Sequence, residues 1–183
     1  MISASHNPIE DNGIKFFASD GFKLSDAVED EIEARLHDGD LPRPTHAGVG
    51  VATPARGLAD RYATMLVEAG ADLRGWTVVV DAAFGAAYRI GPATFERLGA
   101  RVLAINAADD GAHINVGCGA TDLGMLQRAV CEEIARGDER VVGVALDGDA
   151  DRAKFVDETG AALDGDHALL VLARERQARG ALP

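Results

Sequence analysis

The chain has 183 residues, of which 47% are hydrophobic and 26% charged, and these proportions are typical of a globular domain with a core of its own. Collagen-like, low-complexity and disulfide-rich classes are therefore excluded. The net charge of −12 repels phosphate backbones and anionic lipid, which argues against nucleic-acid and membrane-surface binding. An anionic small substrate stays possible, because local cations or a bound metal ion can reverse the sign inside a cleft.

The cysteine content and the first residues indicate the compartment. Cys118 and Cys131 are the two cysteines, and no His or Cys spacing around them is typical of a zinc site. We expect each to be a small buried side chain in a reducing environment. The chain has no apolar run of about 18 residues, and its start lacks the basic and apolar regions of a signal peptide. A cytoplasmic protein is therefore expected.

A helix and then a linker are predicted in the first third of the chain. Apolar residues recur at every fourth position from Val28 to Leu36, which predicts a helix over residues 25–36 with Ser25 as its N-cap. Residues 37–54 are dense in glycine and proline, which indicates a linker and a candidate domain boundary.

The rest of the chain alternates between helical and strand patterns. Helices are predicted over residues 58–69, 92–98, 122–135 and 167–176, and strands over residues 76–81, 101–105, 141–146 and 154–156. Strands that alternate with helices favour an α/β fold whose sheet is mainly parallel.

An acidic cluster follows the strand predicted over residues 141–146. Asp147, Asp149 and Asp151 occupy alternate positions, and carboxylates so close together repel one another unless a cation lies among them. Oxygen ligands of this kind suit Mg²⁺ or Mn²⁺. Arg152, which comes next, is suited to bidentate phosphate binding.

This acidic cluster has two other interpretations. It could be a solvated acidic loop without a ligand. It could also be an EF-hand calcium loop, since the acids from Asp147 match its positions 1, 3 and 5 and Glu158 matches position 12. Arg152 stands at position 6 instead of glycine, however, and the flanking segments are predicted to be strands, so the EF-hand is disfavoured.

A polar loop near the N-terminus carries a candidate nucleophile. Residues 3–8, Ser-Ala-Ser-His-Asn-Pro, form a loop that ends in proline, and Ser5 in it could be activated by a base or a metal ion. His6 is adjacent in sequence, which usually directs a side chain away from its neighbour. Lys15 follows a turn signal, and it is either a surface lysine or a proton carrier whose pKa a nearby cation lowers.

Three motifs in this order resemble the α-D-phosphohexomutase superfamily. Its phosphoserine loop, its general acid/base lysine and its metal loop are similar to residues 3–8, 12–15 and 147–152, respectively. One branch in particular is similar to residues 2–8, 11–17, 114–115, 118–122 and 164–166. That branch interconverts glucosamine 6-phosphate and glucosamine 1-phosphate on the route to UDP-N-acetylglucosamine and the bacterial cell wall. The branches that act on mannose and glucose phosphates share the serine and metal loops and are the alternative.

The resemblance implies a fold and a domain map. It implies α/β architecture, with three-layer units and mixed, mainly parallel sheets. Residues 1–47 would end the first domain, residues 53–152 would form the second, and residues 153–183 would begin the third. The sugar-recognition loop of the third domain and the phosphate-binding fourth domain would be missing, so we expect little mutase activity from the 183 residues alone. A metal- or phosphate-binding fragment without turnover is the alternative of another class.

The resemblance also implies a set of functional residues. Catalytic roles fall to Ser5, His6, Lys15 and Arg152, and Mg²⁺ ligation falls to Ser5, Asp147, Asp149 and Asp151. In this scheme Ser5 carries the phosphoryl group as phosphoserine, Lys15 acts as general acid/base and Arg152 braces the phosphate. The implied substrate is a phosphorylated hexosamine that passes through a bisphosphorylated intermediate, and its binding residues stay unknown. Two positions depart from the family pattern: Phe84 where Asn is common and Ala150 where Gly is common.

Overall fold

The computed structural model describes residues 1–39, 41–55 and 57–181, and Asp40 of the predicted linker, Arg56, Leu182 and Pro183 lie outside the described residues. Within them, a two-stranded hairpin is formed by β1 (Ile2–Ser3) and β2 (Gly13–Ile14). A five-stranded sheet is formed by β3 (Thr77–Asp81), β4 (Arg101–Ile105), β5 (Val141–Leu146), β6 (Ala153–Val156) and β7 (Ala162–Leu163). The helices are α1 (Asp26–Asp38), α2 (Leu58–Ala69), α3 (Ile90–Arg97), α4 (Gly124–Ala135) and α5 (Gly165–Ala178).

The larger sheet is mixed, with the order β4-β3-β5-β6-β7. Strand β3 lies parallel to β4 and to β5, whereas β6 and β7 continue the sheet in antiparallel pairs. The five residues of β3 are all buried, as expected for a β-branched strand that is covered on both faces. The predicted α/β class with a mixed sheet is confirmed.

Helices pack on both faces of the sheet and form a three-layer unit. On one face Val79 packs with Leu126 and Val130 of α4, and on the other face Val78 and Val80 pack against a group that includes Phe95 of α3. Because side chains alternate along β3, this strand contributes to two separate hydrophobic cores. Gly143 of β5 lets α4 come close, because a Cβ there would lie 2.9 Å from Val130 Cγ2.

The predicted helices and longer strands lie within two residues of their observed bounds at each end, and the structure adds β1, β2 and β7. Ser25 occupies the N-cap of α1, but its side chain makes no capping hydrogen bond, and its carbonyl oxygen accepts from Val28 N instead. Cys118 is buried as expected, whereas Cys131 is exposed because it lies on the outer side of α4. No helix among the described residues is long and apolar enough to cross a membrane.

Several large apolar side chains of the N-terminal third are exposed: Ile14, Phe16, Phe17, Phe22, Val28 and Leu36. Helix α1 has no buried residue. Because these apolar side chains are not covered, we predict that proteases cut within residues 1–36 before they cut within residues 55–150.

A buried ionic group joins α4 to the amino-terminal end of the sheet. Glu133 is 2% exposed and accepts hydrogen bonds from Arg101 and Arg136. Arg101 also donates to Asp138 at 3.0 Å, and Asp138 accepts from the hydroxyl of Thr77. The hydrogen bond from Arg101 is the main reason that the pKa of Glu133 is lowered, although burial acts in the opposite direction.

We predict that Glu133→Gln lowers the free energy of unfolding at pH 7 by about 1–3 kcal/mol, because it weakens a buried charged hydrogen bond. Since the pKa of Glu133 lies below its ordinary 4.5, its pairs stabilise the fold above that pH, and this stability is lost as the pH falls through the lowered pKa. The variant should therefore show a shallower loss of stability on acidification in urea titrations. Glu132→Gln is the control, because Glu132 is 67% exposed and its partner Arg136 lies 3.9 Å away. Equal effects of the two substitutions would contradict the prediction.

Candidate functional site

The site lies where β3 and β5 end, and three glycines let its loops pack backbone to backbone. A Cβ on Gly85 would lie 2.4 Å from the carbonyl oxygen of Gly148, and one on Gly119 would lie 2.4 Å from that of Leu146. A Cβ on Gly148 would lie 2.6 Å from the carbonyl oxygen of Ser5. Larger residues would push these loops apart.

Asp81, the last residue of β3, holds two of these loops together. Its side chain is fully buried; one carboxylate oxygen accepts from Ala83 N at 3.0 Å and the other from Gly119 N at 2.9 Å. Both carboxylate oxygens of Asp81 thus accept from backbone amides, so Asp81 holds the loops of the site together.

The serine loop, residues 3–8, lies directly on the acidic loop, residues 147–152. Ser5 has a φ of 52°, its amide donates to Ser3 Oγ at 2.9 Å, and its carbonyl oxygen accepts from Gly148 N at 3.1 Å. His6 is exposed, and its Nδ1 lies 3.5 Å from Ser5 Oγ. The two side chains of the Ser5–His6 pair therefore approach each other, contrary to the expectation from their adjacency.

The acidic loop brings three carboxylates together. One oxygen from each of Asp147, Asp149 and Asp151 lies within 4.8 Å of the others. Asp147 Oδ1 accepts from Arg152 N at 3.2 Å, but Asp147 Oδ2 and Asp149 Oδ1 are buried without a hydrogen-bond partner. Unpartnered buried carboxylate oxygens in an all-oxygen donor set fit a divalent cation such as Mg²⁺, so these three residues could hold one.

The first two carboxylates of this loop have opposite electrostatic surroundings. Burial raises the pKa of Asp147, and the nearby charges of Asp151 and Asp149 add to the effect. Burial also acts to raise the pKa of Asp149, but hydrogen bonds from Ser3 and Lys15 outweigh it and lower that pKa. Of these two carboxylates, Asp147 is therefore the one whose charge is less compensated by neighbouring groups.

Lys15 reaches the acidic loop from the N-terminal hairpin. The pairing of β1 with β2 places Lys15 beside Met1, whose carbonyl oxygen accepts from Lys15 N at 2.8 Å. Lys15 Nζ donates to Asp149 Oδ2 at 3.1 Å, and the lysine side chain is 46% exposed. The ammonium group thus stays open to solvent or a ligand while it is paired.

Arg152 lies at the outer side of the same loop. Its Nε is 3.9 Å from Asp147 Oδ2 and 3.8 Å from Asp151 Oδ1, and its side chain is 55% exposed. The guanidinium is therefore weakly held and accessible to an anion.

The structure thus collects Ser5, Lys15, Arg152 and the three aspartates at one edge, with His6 at its periphery. Two further residues of the site were not predicted from the sequence. Ser3 donates from Oγ to Asp149 Oδ2 at 2.5 Å, and the side-chain amide of Asn115 donates to the serine loop. Both lie in motifs that resemble the family, but their contacts depend on pairings between distant parts of the chain.

Unusual backbone conformations also concentrate here. Of seven described non-glycine residues with positive φ, six lie in the loops of this edge: Ser5, Ala83, Phe84, Asn106, Asn115 and Ala150. Phe84 is one of the two departures from the family pattern. The turn that contains it is held by a hydrogen bond from Phe84 N to the carbonyl oxygen of Asn106 at 2.7 Å. Ala150, the other departure, has a φ of 59°, a conformation that glycine adopts without steric cost.

The fold and the site define an α/β protein with a carboxylate-rich site at the carboxyl edge of its parallel strands. Comparisons with known proteins agree. The model described as phosphoglucomutase/phosphomannomutase, alpha/beta/alpha domain I, matches residues 1–43, and the corresponding domain II model matches residues 60–160. The chain belongs to the phosphoglucomutase/phosphomannomutase family.

Among the relatives, the chain is 48% identical over 185 residues to the phosphoglucosamine mutase of Symbiobacterium thermophilum, and 49% identical over 199 residues to that of Nocardia farcinica. Each match covers 100% of this chain but only 40% and 42% of those proteins, so the chain spans about two fifths of their length. A phosphoglucomutase/phosphomannomutase family protein from Burkholderia thailandensis has a similar fold, with a TM-score of 0.73 and 25% identity over 98% of this chain and 37% of that one.

We predict that Ala150→Gly stabilises the chain by about 1 kcal/mol, because it relieves the left-handed conformation of a residue with a Cβ. Urea unfolding of the metal-free chain would measure the effect. The control is Ala104→Gly in β4, where φ is not positive and glycine should destabilise the strand by about 0.5–1 kcal/mol. A loss of stability in both variants would show that Ala150 carries no strain.

Proposed function

We propose that this chain supplies the phosphoserine loop, the acid/base lysine and the metal loop of a phosphoglucosamine mutase, which interconverts glucosamine 6-phosphate and glucosamine 1-phosphate. The observation that carries the proposal is the meeting of Ser5, Lys15 and the aspartates of the acidic loop at one edge of the sheet. The names of the relatives at 48% and 49% identity support the choice of sugar.

In this proposal Ser5 Oγ carries the phosphoryl group. A phosphoserine has close to two negative charges, and Arg152 and Lys15 are exposed cations beside the loop that can offset them. As the phosphoryl group passes to a hydroxyl of the sugar monophosphate, the O–P bond to Ser5 breaks and an O–P bond to the sugar forms. Lys15 moves the proton between those two oxygens, and His6 assists near Ser5. The bisphosphorylated sugar then turns round and returns its other phosphoryl group to Ser5.

We infer that Asp147, Asp149 and Asp151 hold Mg²⁺ together with an oxygen on Ser5. The unpartnered oxygens of Asp147 and Asp149 support this assignment. When bound, the ion supplies charge neutralisation for the transferring phosphoryl group.

The domain map belongs to the same proposal. Residues 1–47 are assigned to the end of a first domain, 53–152 to a second and 153–183 to the start of a third. The β6 strand pairs with β5 across the second boundary, so the acidic loop connects two strands of one sheet. A phosphosugar isomerase of this kind would work in the cytoplasm, where its substrates and products are precursors of amino-sugar nucleotides and peptidoglycan.

The metal assignment predicts direct binding of Mg²⁺ and Mn²⁺ to the 183-residue chain, measured by calorimetry. Asp151→Asn and Asp149→Asn should each raise the dissociation constant about tenfold or more, because each removes one anionic ligand. Asp151 is the safer of the two for folding, because its side chain is 56% exposed. Asp109→Asn, an exposed aspartate at the same edge of the sheet, removes the same charge and should leave the affinity unchanged. Equal affinity in all three variants would contradict the assignment.

The catalytic assignment is tested in a chimera in which this chain replaces the matching segment of the Symbiobacterium thermophilum enzyme. The chimera should convert glucosamine 6-phosphate, and Ser5→Ala should lower kcat by on the order of a thousandfold or more. Ser19→Ala, at an exposed serine of a nearby turn, is the control and should retain activity.

Two outcomes would favour the alternatives. An inactive chimera that still binds Mg²⁺ would favour a binding fragment without turnover. The second experiment purifies the protein from its source cells with an antibody against these residues. If that protein turned over mannose or glucose phosphates in preference to glucosamine phosphates, it would be a phosphomannomutase or phosphoglucomutase.

A further inference from the structure

A buried asparagine connects the serine loop to the sheet. Asn115 is 9% exposed, and its side-chain Nδ2 donates to the carbonyl oxygens of Ser5 at 2.9 Å and Asn7 at 2.8 Å. Both amide hydrogens are therefore used on one short loop more than a hundred residues away in sequence. No proposed catalytic or metal role includes this residue.

Asn115 is itself fixed to the core. Its backbone amide donates to the carbonyl oxygen of Ala83, directly after β3, at 3.1 Å, and its own carbonyl oxygen accepts from Thr121 Oγ1 at 3.3 Å. Its φ of 61° places it in the left-handed region, which asparagine tolerates better than most residues. The side chain therefore extends from an anchored backbone to a loop that lacks regular structure.

Three segments meet at one atom, the carbonyl oxygen of Ser5. It accepts from Asn115 Nδ2 at 2.9 Å and from Gly148 N at 3.1 Å, and Gly148 lies between Asp147 and Asp149. The serine loop is also tied to the acidic loop through Ser3, whose Oγ accepts from Ser5 N and donates to Asp149 Oδ2. That tie lies on the N-terminal side of Ser5. The two bonds from Asn115 hold the C-terminal side, because they bind the carbonyl oxygens on both sides of His6.

We propose that Asn115 is a positioning residue that holds Ser5 against the acidic loop. The proposal rests on the proposed function, which gives Ser5 its chemical role. Asn115 touches no reacting atom, so it acts only through the backbone of the serine loop. A carboxylate in its place would put negative charge against two carbonyl oxygens, whereas glycine would keep the left-handed backbone and remove the grip.

The first test uses the full 183-residue chain without metal. Heteronuclear ¹H–¹⁵N NOE values should show ordered amides for Ser5, His6 and Asn7. In Asn115→Gly and Asn115→Asp these values should fall to those of a mobile loop, while the amides of β3 and β5 keep theirs. Asn106→Gly is the matched control, since Asn106 also has a positive φ at this edge but its side-chain amide contacts Met125 Sδ. Unchanged NOE values at Ser5 to Asn7 in both Asn115 variants would overturn the proposal.

The second test separates positioning from a general structural role. In the chimera, Asn115→Gly should lower kcat about a hundredfold with KM changed little, as expected when a reacting group is misplaced by about 1 Å. Equal kcat values for Asn115→Gly and Asn106→Gly would overturn the proposal even if the loop were mobile. If the unsubstituted chimera has no activity, the proposed function fails, and the NOE values alone then decide whether Asn115 holds the loop.

Discussion

The candidate site depends on the close packing of backbone at the carboxyl ends of β3 and β5. Gly85 lies against Gly148, Gly119 lies against Leu146, and Gly148 lies against Ser5, each at a distance that excludes a Cβ. Once these contacts form, main-chain atoms bring the serine loop and the acidic loop together, and the side chains of Asn115 and Ser3 add hydrogen bonds that hold the serine loop there. Close packing of main-chain atoms limits how far the loops can move before a ligand binds, and preorganisation of this kind is what charge-stabilising sites require.

This rigid packing creates an electrostatic cost that explains the arrangement of nearby cations. Asp147 is fully buried among other carboxylates, so burial raises its pKa. Lys15 and Ser3 compensate Asp149, whereas the guanidinium of Arg152 stays at 3.9 Å from Asp147. One oxygen of Asp149 is thus satisfied by the chain, whereas Asp149 Oδ1 and Asp147 Oδ2 are left for a cation. Although the chain has a net charge of −12, the edge of the sheet that carries the site has two accessible positive groups, Lys15 and Arg152.

Sequence patterns predicted the helices, the longer strands and the α/β class because each depends on local periodicity. They also singled out Ser5, Lys15 and the three aspartates, since each lies in a short motif with its own chemistry. They could not find the role of Asn115 or of Ser3, because those roles arise only when residues more than a hundred positions apart become neighbours. The short strands were missed for a related reason: two residues are too few to show a period, and their pairing partner decides their conformation.

The concentration of positive φ values at this edge follows from the same packing. Glycine relieves the close backbone contacts, but Ser5, Asn115 and Ala150 must turn left-handed to bring their loops together. Each such residue with a Cβ costs about 1–2 kcal/mol, and the surrounding hydrogen bonds must offset that cost. Asn115 does so twice, with a backbone bond to the loop after β3 and side-chain bonds to the serine loop. The strain is therefore found where distant segments have to converge, which is also where the chain carries the groups that can perform chemistry.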